Sequence, residues 1–110
     1  MPITAIASIL HRFSGTFIFL LTPFLLYLFT ASLKDNSGYA LASRWLDSLF
    51  IKLCFLILIW AGVHHLLAGI RYLFLDFDVG VGRKGANLSA MLVTVLGLVI
   101  SLLIMMWLLP

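Results

Sequence analysis

The residues best suited to chemistry lie near the end of a long apolar run. His64 and His65 are neighbours among leucine, valine and alanine, and Arg71 follows closely. Ionisable side chains inside an apolar helix are rare and are usually functional, because lipid does not solvate them. A neutral imidazole can ligate a haem iron, and a guanidinium can pair with carboxylates such as haem propionates. The run is therefore a candidate cofactor site.

Helical geometry separates the two histidines. His65, Gly69 and Tyr72 share one stripe of a helix, because residues four and seven apart lie on the same face. His64 is rotated from that stripe by about 100°. Gly69 leaves space for a flat group near the backbone, and His65 lies about 9 Å deeper than Arg71. On spacing alone either histidine could be a haem ligand, and either could instead hydrogen-bond a neighbouring helix.

A second polar cluster opens the first apolar run. Ser8 and Arg12 are one helical turn apart on one face. His11 and Gly15 form an adjacent surface, rotated by about 100° from Arg12. A hydroxyl with a guanidinium thus lies beside an imidazole with a glycine notch. The alternative interpretation is that these residues only anchor the helix at the lipid headgroups and allow close helix packing.

Composition predicts an all-α membrane protein. The chain is 64% hydrophobic and 10% charged, whereas a soluble domain of this size has about 25% charged residues. Three apolar runs are each near the roughly 20 residues that a transmembrane helix needs. The first loop carries apolar residues at helical spacing over positions 39–50, which predicts an amphipathic helix on the membrane surface. We expect a three-helix transmembrane bundle in a single domain, 1–110, with helices at about 8–33, 50–75 and 85–109.

The basic residues favour one orientation in the membrane. They form no continuous block, so nucleic acid is not an expected partner. Three spans place the termini on opposite sides, and a small excess of cations on the amino-terminal side predicts that the amino terminus is cytoplasmic. That side carries Arg12, Arg71, Arg83 and Lys84, and the other carries Lys34, Arg44 and Lys52. We also expect the Arg71 side chain to snorkel toward the interface.

Both clusters resemble the motifs of a known family. Residues 8–15 match the pattern Ser-x-x-His-Arg-x-(Ser/Thr), and His65-x-x-x-Gly69-Ile70-Arg71 followed by Asp76 matches a second pattern. The chain resembles the cytochrome b subunits of succinate dehydrogenase, the membrane anchors of respiratory complex II. The likeness extends over the whole chain, and its opening is especially similar to enterobacterial members.

The resemblance implies a shared cofactor site and a quinone site. Family members hold haem b between two three-helix anchors, each giving one histidine, which implies His65 as the axial ligand of the haem iron here. The other ligand would come from a second anchor subunit. The implied haem-propionate side consists of His11, Arg12, Arg71 and Tyr72, and the implied ubiquinone-binding residues are Ser8, Ile9 and Arg12.

The resemblance also implies a function and partners. Such an anchor docks the iron–sulfur and flavoprotein subunits at a bacterial inner membrane and passes electrons from the iron–sulfur subunit to quinone, without acting on succinate itself. The alternatives are a haem-free anchor of the quinol:fumarate reductase type and a purely structural small membrane subunit. Two positions depart from the family: Tyr72, where members usually have His or Phe, and Asp78, where they usually have Gly, Val or Ala.

Overall fold

The structure is a computed structural model that describes residues 2–108, and every regular element within them is a helix. The three helices that are long and apolar enough to cross a membrane confirm the predicted all-helical, three-span class. The predicted end of the last span at residue 109 lies outside the described residues. The elements are α1 (Ile3–Lys34), α2 (Asn36–Asp47), α3 (Leu49–Asp76) and α4 (Arg83–Leu108).

The three long helices form an elongated bundle. α1, α3 and α4 contact one another, and α2 packs against α1 and α3. The bundle measures 55 × 26 × 21 Å. Small side chains fill the helix contacts, where they let backbones approach closely, and most large apolar side chains point outward. The most deeply buried small residues are Ala7, Ser14, Ala61, Ala68, Ala90, Gly97 and Ser101.

The surface helix forms where the amphipathic pattern predicts it, with shifted ends. α2 begins at Asn36, and the last part of the predicted stretch belongs to α3. Asp35 caps α2, because its Oδ1 accepts hydrogen bonds from the Gly38 amide at 2.6 Å and the Ser37 hydroxyl at 2.8 Å. These bonds, that of Gly38 above all, lower the pKa of the Asp35 carboxyl below its usual value. A Cβ at Gly38 would collide with the carbonyl oxygen of Ala31, so α2 can fold back closely against α1 only with glycine there.

The end of α3 explains one departure from the family pattern. Asp78 has a left-handed backbone with φ of 59°. Its amide donates to the carbonyl of Leu75 at 3.0 Å, and the Val79 amide donates to that of Phe74 at 2.9 Å. This pair of bonds is a Schellman ending, in which the left-handed residue is usually glycine. Aspartate tolerates the conformation better than most residues.

Candidate functional site

α1 and α3 cross with reciprocal packing of two His-x-x-x-Gly segments. A Cβ at Gly15 would lie 2.9 Å from Cε1 of His65, so the imidazole occupies the glycine notch on the opposite helix. In return, the Cβ position of Gly69 is 4.0 Å from Nε2 of His11. Position 15 thus faces 65 while position 11 faces 69, which makes the two helices antiparallel at this point.

The reciprocal packing places two imidazoles face to face. The rings of His11 and His65 are parallel within 6°, with centroids 4.3 Å apart. The ring of Tyr72 is tilted by 57° to that of His11 at 5.1 Å. The predicted stripe of His65, Gly69 and Tyr72 therefore faces α1, and the flat group beside Gly69 in the structure is the His11 imidazole. We call these three residues the α1-facing stripe.

His65 is held by one edge. Its Nδ1 lies 3.2 Å from the Ser14 hydroxyl oxygen and 3.3 Å from the His11 carbonyl oxygen. The Ser14 hydroxyl in turn donates to the same His11 carbonyl at 2.8 Å. Nδ1 makes both of these polar contacts with oxygen atoms, so neither of them uses Nε2. The side chain is only half-buried, so the site is not closed off by this chain.

His64 has a different environment one residue away. It is fully buried, and its ring stacks on Trp60 at 5.2 Å with an interplanar angle of 22°. It also lies against α4, where a Cβ at Gly97 would be 3.4 Å from Nδ1 of His64. Neither ring nitrogen has a hydrogen-bond partner within residues 2–108. An imidazole enclosed in this way has no open path to a group outside the bundle.

Arg71 joins α3 to α4. It is 7% exposed, its Nε donates to the Ser89 hydroxyl at 2.9 Å, and its guanidinium also donates to the Ala86 carbonyl at 3.4 Å. The expectation that this side chain snorkels to the interface is wrong, because α4 offers oxygen acceptors within reach. The guanidinium carbon lies 5.5 Å from the centre of the Tyr72 ring. Arg71 thus lies next to the α1-facing stripe while bonded to the other side of the bundle.

The remaining predicted site residues lie in the first turns of α1. Ser8 is half-buried, whereas the side chains of Ile9 and Arg12 are exposed. They share the end of the bundle that carries His11, one turn or less along the same helix. An exposed arginine and isoleucine on the outer surface of a membrane helix leave a face that other subunits or lipid must cover.

Sequence reasoning did not assign Ser14, Gly15 or Ser89 as partners of site residues. Ser14 and Gly15 follow His11 by three and four positions, so helical spacing puts all three on one face. That spacing was available from the sequence. Which helix this face meets, and that Ser89 meets Arg71, depends on the packing of three separate segments.

The fold and these contacts define a class: a three-span membrane protein with a pair of stacked imidazoles between its first two spans. The family model of the succinate dehydrogenase/fumarate reductase transmembrane subunit matches residues 1–104. The chain therefore belongs to that family.

Named relatives agree with this assignment. The succinate dehydrogenase cytochrome b556 subunit of Coxiella burnetii is 36% identical over 107 residues, covering 96% of this chain and 86% of the relative. The protein of the same name from Rickettsia prowazekii is 31% identical over 102 residues, covering 93% of this chain and 79% of the relative. The likeness thus extends over nearly the whole length of the chain.

Proposed function

We propose that this chain is the membrane-anchor cytochrome b subunit of a succinate:quinone oxidoreductase. It binds haem b through His65 and forms part of a ubiquinone site, and electrons pass from an iron–sulfur subunit to the quinone. The observation that carries the proposal is the state of His65, a half-buried imidazole whose Nδ1 is held by oxygen atoms of α1. The relatives named cytochrome b556 subunits support the same cofactor.

The residues of this chain fit a b-type haem. An axial ligand is a neutral imidazole with one free nitrogen, and the contacts of His65 leave Nε2 available. His64 fits less well, because both of its nitrogens are enclosed in the bundle. The bound haem would supply a one-electron store. His11, Tyr72, Arg12 and Arg71 are proposed for the propionate side.

The same end of α1 suits a quinone. The Ser8 hydroxyl would donate a hydrogen bond to a quinone carbonyl, and the Arg12 guanidinium would stabilise the negative charge that develops on that oxygen. Ile9 would line the pocket. Because Ile9 and Arg12 are exposed, the pocket requires walls from elsewhere, namely the iron–sulfur subunit and a second three-helix anchor.

The proposed setting is a bacterial inner membrane with the amino terminus in the cytoplasm. The chain acts there as a single transmembrane domain that docks the iron–sulfur and flavoprotein subunits. The second anchor supplies the other axial ligand. Lipid and the partner anchor together cover the outward apolar side chains, which a soluble protein of this size could not leave exposed.

The haem assignment is tested on the purified complex by pyridine-haemochrome and reduced-minus-oxidised spectra. We expect one b haem, lost in His65→Ala and retained in His64→Ala. Retention in His65→Ala with loss in His64→Ala would contradict the choice of ligand. A complex that reduces quinone but contains no b haem would instead favour the haem-free anchor of the quinol:fumarate reductase type.

The quinone assignment has a separate test. Ser8→Ala and Arg12→Ala should lower quinone reduction while succinate oxidation with a soluble dye acceptor persists. Thr22→Ala removes another hydroxyl from α1, one that donates to the Ile18 carbonyl, and should leave both activities unchanged. Equal loss of both activities in the Ser8 and Arg12 variants would point to assembly and overturn the quinone role.

A further inference from the structure

The Nδ1 atom of His65 faces two oxygen atoms. One is the His11 carbonyl at 3.3 Å, which can only accept hydrogen bonds. The other is the Ser14 hydroxyl at 3.2 Å, whose proton is donated to that same carbonyl. Both oxygens therefore present lone pairs to His65. Nδ1 must carry the ring proton to bond with either of them, and the lone pair of the neutral imidazole is then on Nε2.

Ser14 is placed so that it constrains the ring. Its side chain is fully buried between α1 and α3. The hydroxyl bonds to the His11 carbonyl at 2.8 Å, so the oxygen that meets Nδ1 has little freedom to move. Gly15 leaves room for the adjacent side of the ring, because a Cβ at this position would lie 2.9 Å from Cε1 of the same imidazole. The ring of His65 is thus oriented by two consecutive residues of the opposite helix.

We propose that Ser14 is a positioning residue for the haem ligand. Through its hydroxyl, with the His11 carbonyl, it fixes the Nδ1-protonated tautomer and the ring orientation of His65, so that Nε2 is presented to the iron. This inference rests on the proposed haem ligation by His65. Outer partners of this type raise ligand basicity, and their loss costs about 10–100-fold in metal affinity.

Ser32 provides a matched control. Its hydroxyl also donates to the carbonyl three residues earlier on α1, that of Phe29, at 2.7 Å, but this bond is exposed, and Ser32 is half-buried and lies far from His65 along α1. A serine that only bonds back to its own helix should behave like Ser32. A serine that positions the ligand should not.

The experiment compares Ser14→Ala with Ser32→Ala in the assembled complex. We expect Ser14→Ala to weaken haem retention by about 10–100-fold and to shift the g values of the oxidised haem in electron paramagnetic resonance, which report ligand orientation. Ser32→Ala should match the unsubstituted complex in both readouts, and Ser14→Thr, which keeps the hydroxyl, should restore them. Unchanged g values and haem retention in Ser14→Ala would overturn the inference.

If the complex that carries Ser14→Ala assembles poorly, a second pair of variants still tests the inference. Ser14→Thr and Ser14→Val differ only in a hydroxyl against a methyl group, so a haem defect confined to Ser14→Val supports the inference and identical behaviour overturns it. The His65→Ala variant separates this inference from the proposed function. If His65→Ala retains the haem, the ligand assignment itself fails. If His65→Ala loses the haem and Ser14→Ala is unaffected, only the role of Ser14 fails.

Discussion

Two stripes of α3 run side by side with opposite character. The α1-facing stripe (His65, Gly69, Tyr72) is polar and half-buried, and its histidine is hydrogen-bonded. The second, which we call the buried stripe, is sealed inside the bundle, and its histidine has no hydrogen-bond partner among residues 2–108. The buried stripe consists of Ala61, His64, Ala68 and Arg71.

The difference shows how adjacent residues acquire different uses. His64 and His65 have the same side chain and nearly the same depth, but a rotation of about 100° directs them to different helices. α1 offers the Ser14 hydroxyl and the His11 carbonyl to His65, while α4 offers the small residue Gly97 to His64. One histidine is therefore oriented and accessible, and the other is packed.

The largest effect is expected at Arg71, the polar end of the buried stripe. Arg71→Ala should lower the free energy of unfolding of the detergent-solubilised complex by about 2–3 kcal/mol, because hydrogen bonds of a charged group to Ser89 and Ala86 are lost. The exposed Arg83→Ala should change it by no more than about 0.5 kcal/mol. Chemical denaturation measures both, and equal effects would show that Arg71 does not stabilise the contact with α4.

A glycine lies against each of the two histidines, so the same substitution, glycine to alanine, can be compared on both stripes. Gly15→Ala places a Cβ 2.9 Å from Cε1 of His65 and must displace the ring, so haem retention should fall by about 10–100-fold. Gly97→Ala meets His64 at 3.4 Å or more, an ordinary contact, and should retain haem. A Cβ at Gly62 would meet no described atom within 4 Å apart from its own stretch of helix, so Gly62→Ala serves as a control. Haem loss in Gly97→Ala but not in Gly15→Ala would reverse the comparison.

Replacing His64 by a hydrocarbon should increase stability. His64→Leu removes two enclosed nitrogens that have no hydrogen-bond partner in the described range 2–108, and it conserves most of the volume. We therefore expect a gain of about 1–2 kcal/mol in the free energy of unfolding. The haem spectrum should be unchanged. A loss of stability on the same denaturation assay would mean that the His64 nitrogens are satisfied in the complex.

A smaller gain is expected beyond both stripes, just after the last turn of α3. Asp78→Gly relieves a left-handed backbone at the Schellman ending of α3 and should add up to about 1 kcal/mol of stability. Asp76→Gly, inside the last turn of the helix, should be destabilising instead. If the left-handed conformation of residue 78 causes the gain, thermal unfolding should show a higher melting temperature for Asp78→Gly and a lower one for Asp76→Gly.

The smallest effect concerns α2, which lies apart from both stripes. The pKa of Asp35 is lower in the folded chain than in the unfolded chain, because the Gly38 amide and the Ser37 hydroxyl bond to its charged form. Its contribution to stability is therefore complete above the unfolded pKa and is lost as the pH falls through the folded pKa. Asp35→Asn should remove this acid dependence without altering the haem spectrum, as a pH series of unfolding curves would show. An unchanged acid dependence in Asp35→Asn would exclude Asp35 as its source.

Local sequence was sufficient for much of the site. The stripe of His65, Gly69 and Tyr72 follows from helical spacing, and the structure confirms that all three face one neighbouring helix. The prediction that Arg71 snorkels was wrong, because nothing within its own helix indicates that Ser89 lies beside it. The assignment of His65 as ligand and of Ser8, Ile9 and Arg12 to quinone stays a prediction.

The sequence by itself determined the three spans, the surface helix and the faces of each helix, because apolar run length and a periodicity of 3.6 residues are local properties. Only the tertiary structure decided which face meets which helix. The placement of Ser14 and Gly15 against His65, of Gly97 against His64 and of Ser89 against Arg71 depends on side chains from separate segments fitting together. The two adjacent histidines have the same side chain, so the difference between them comes from the helices that each one contacts.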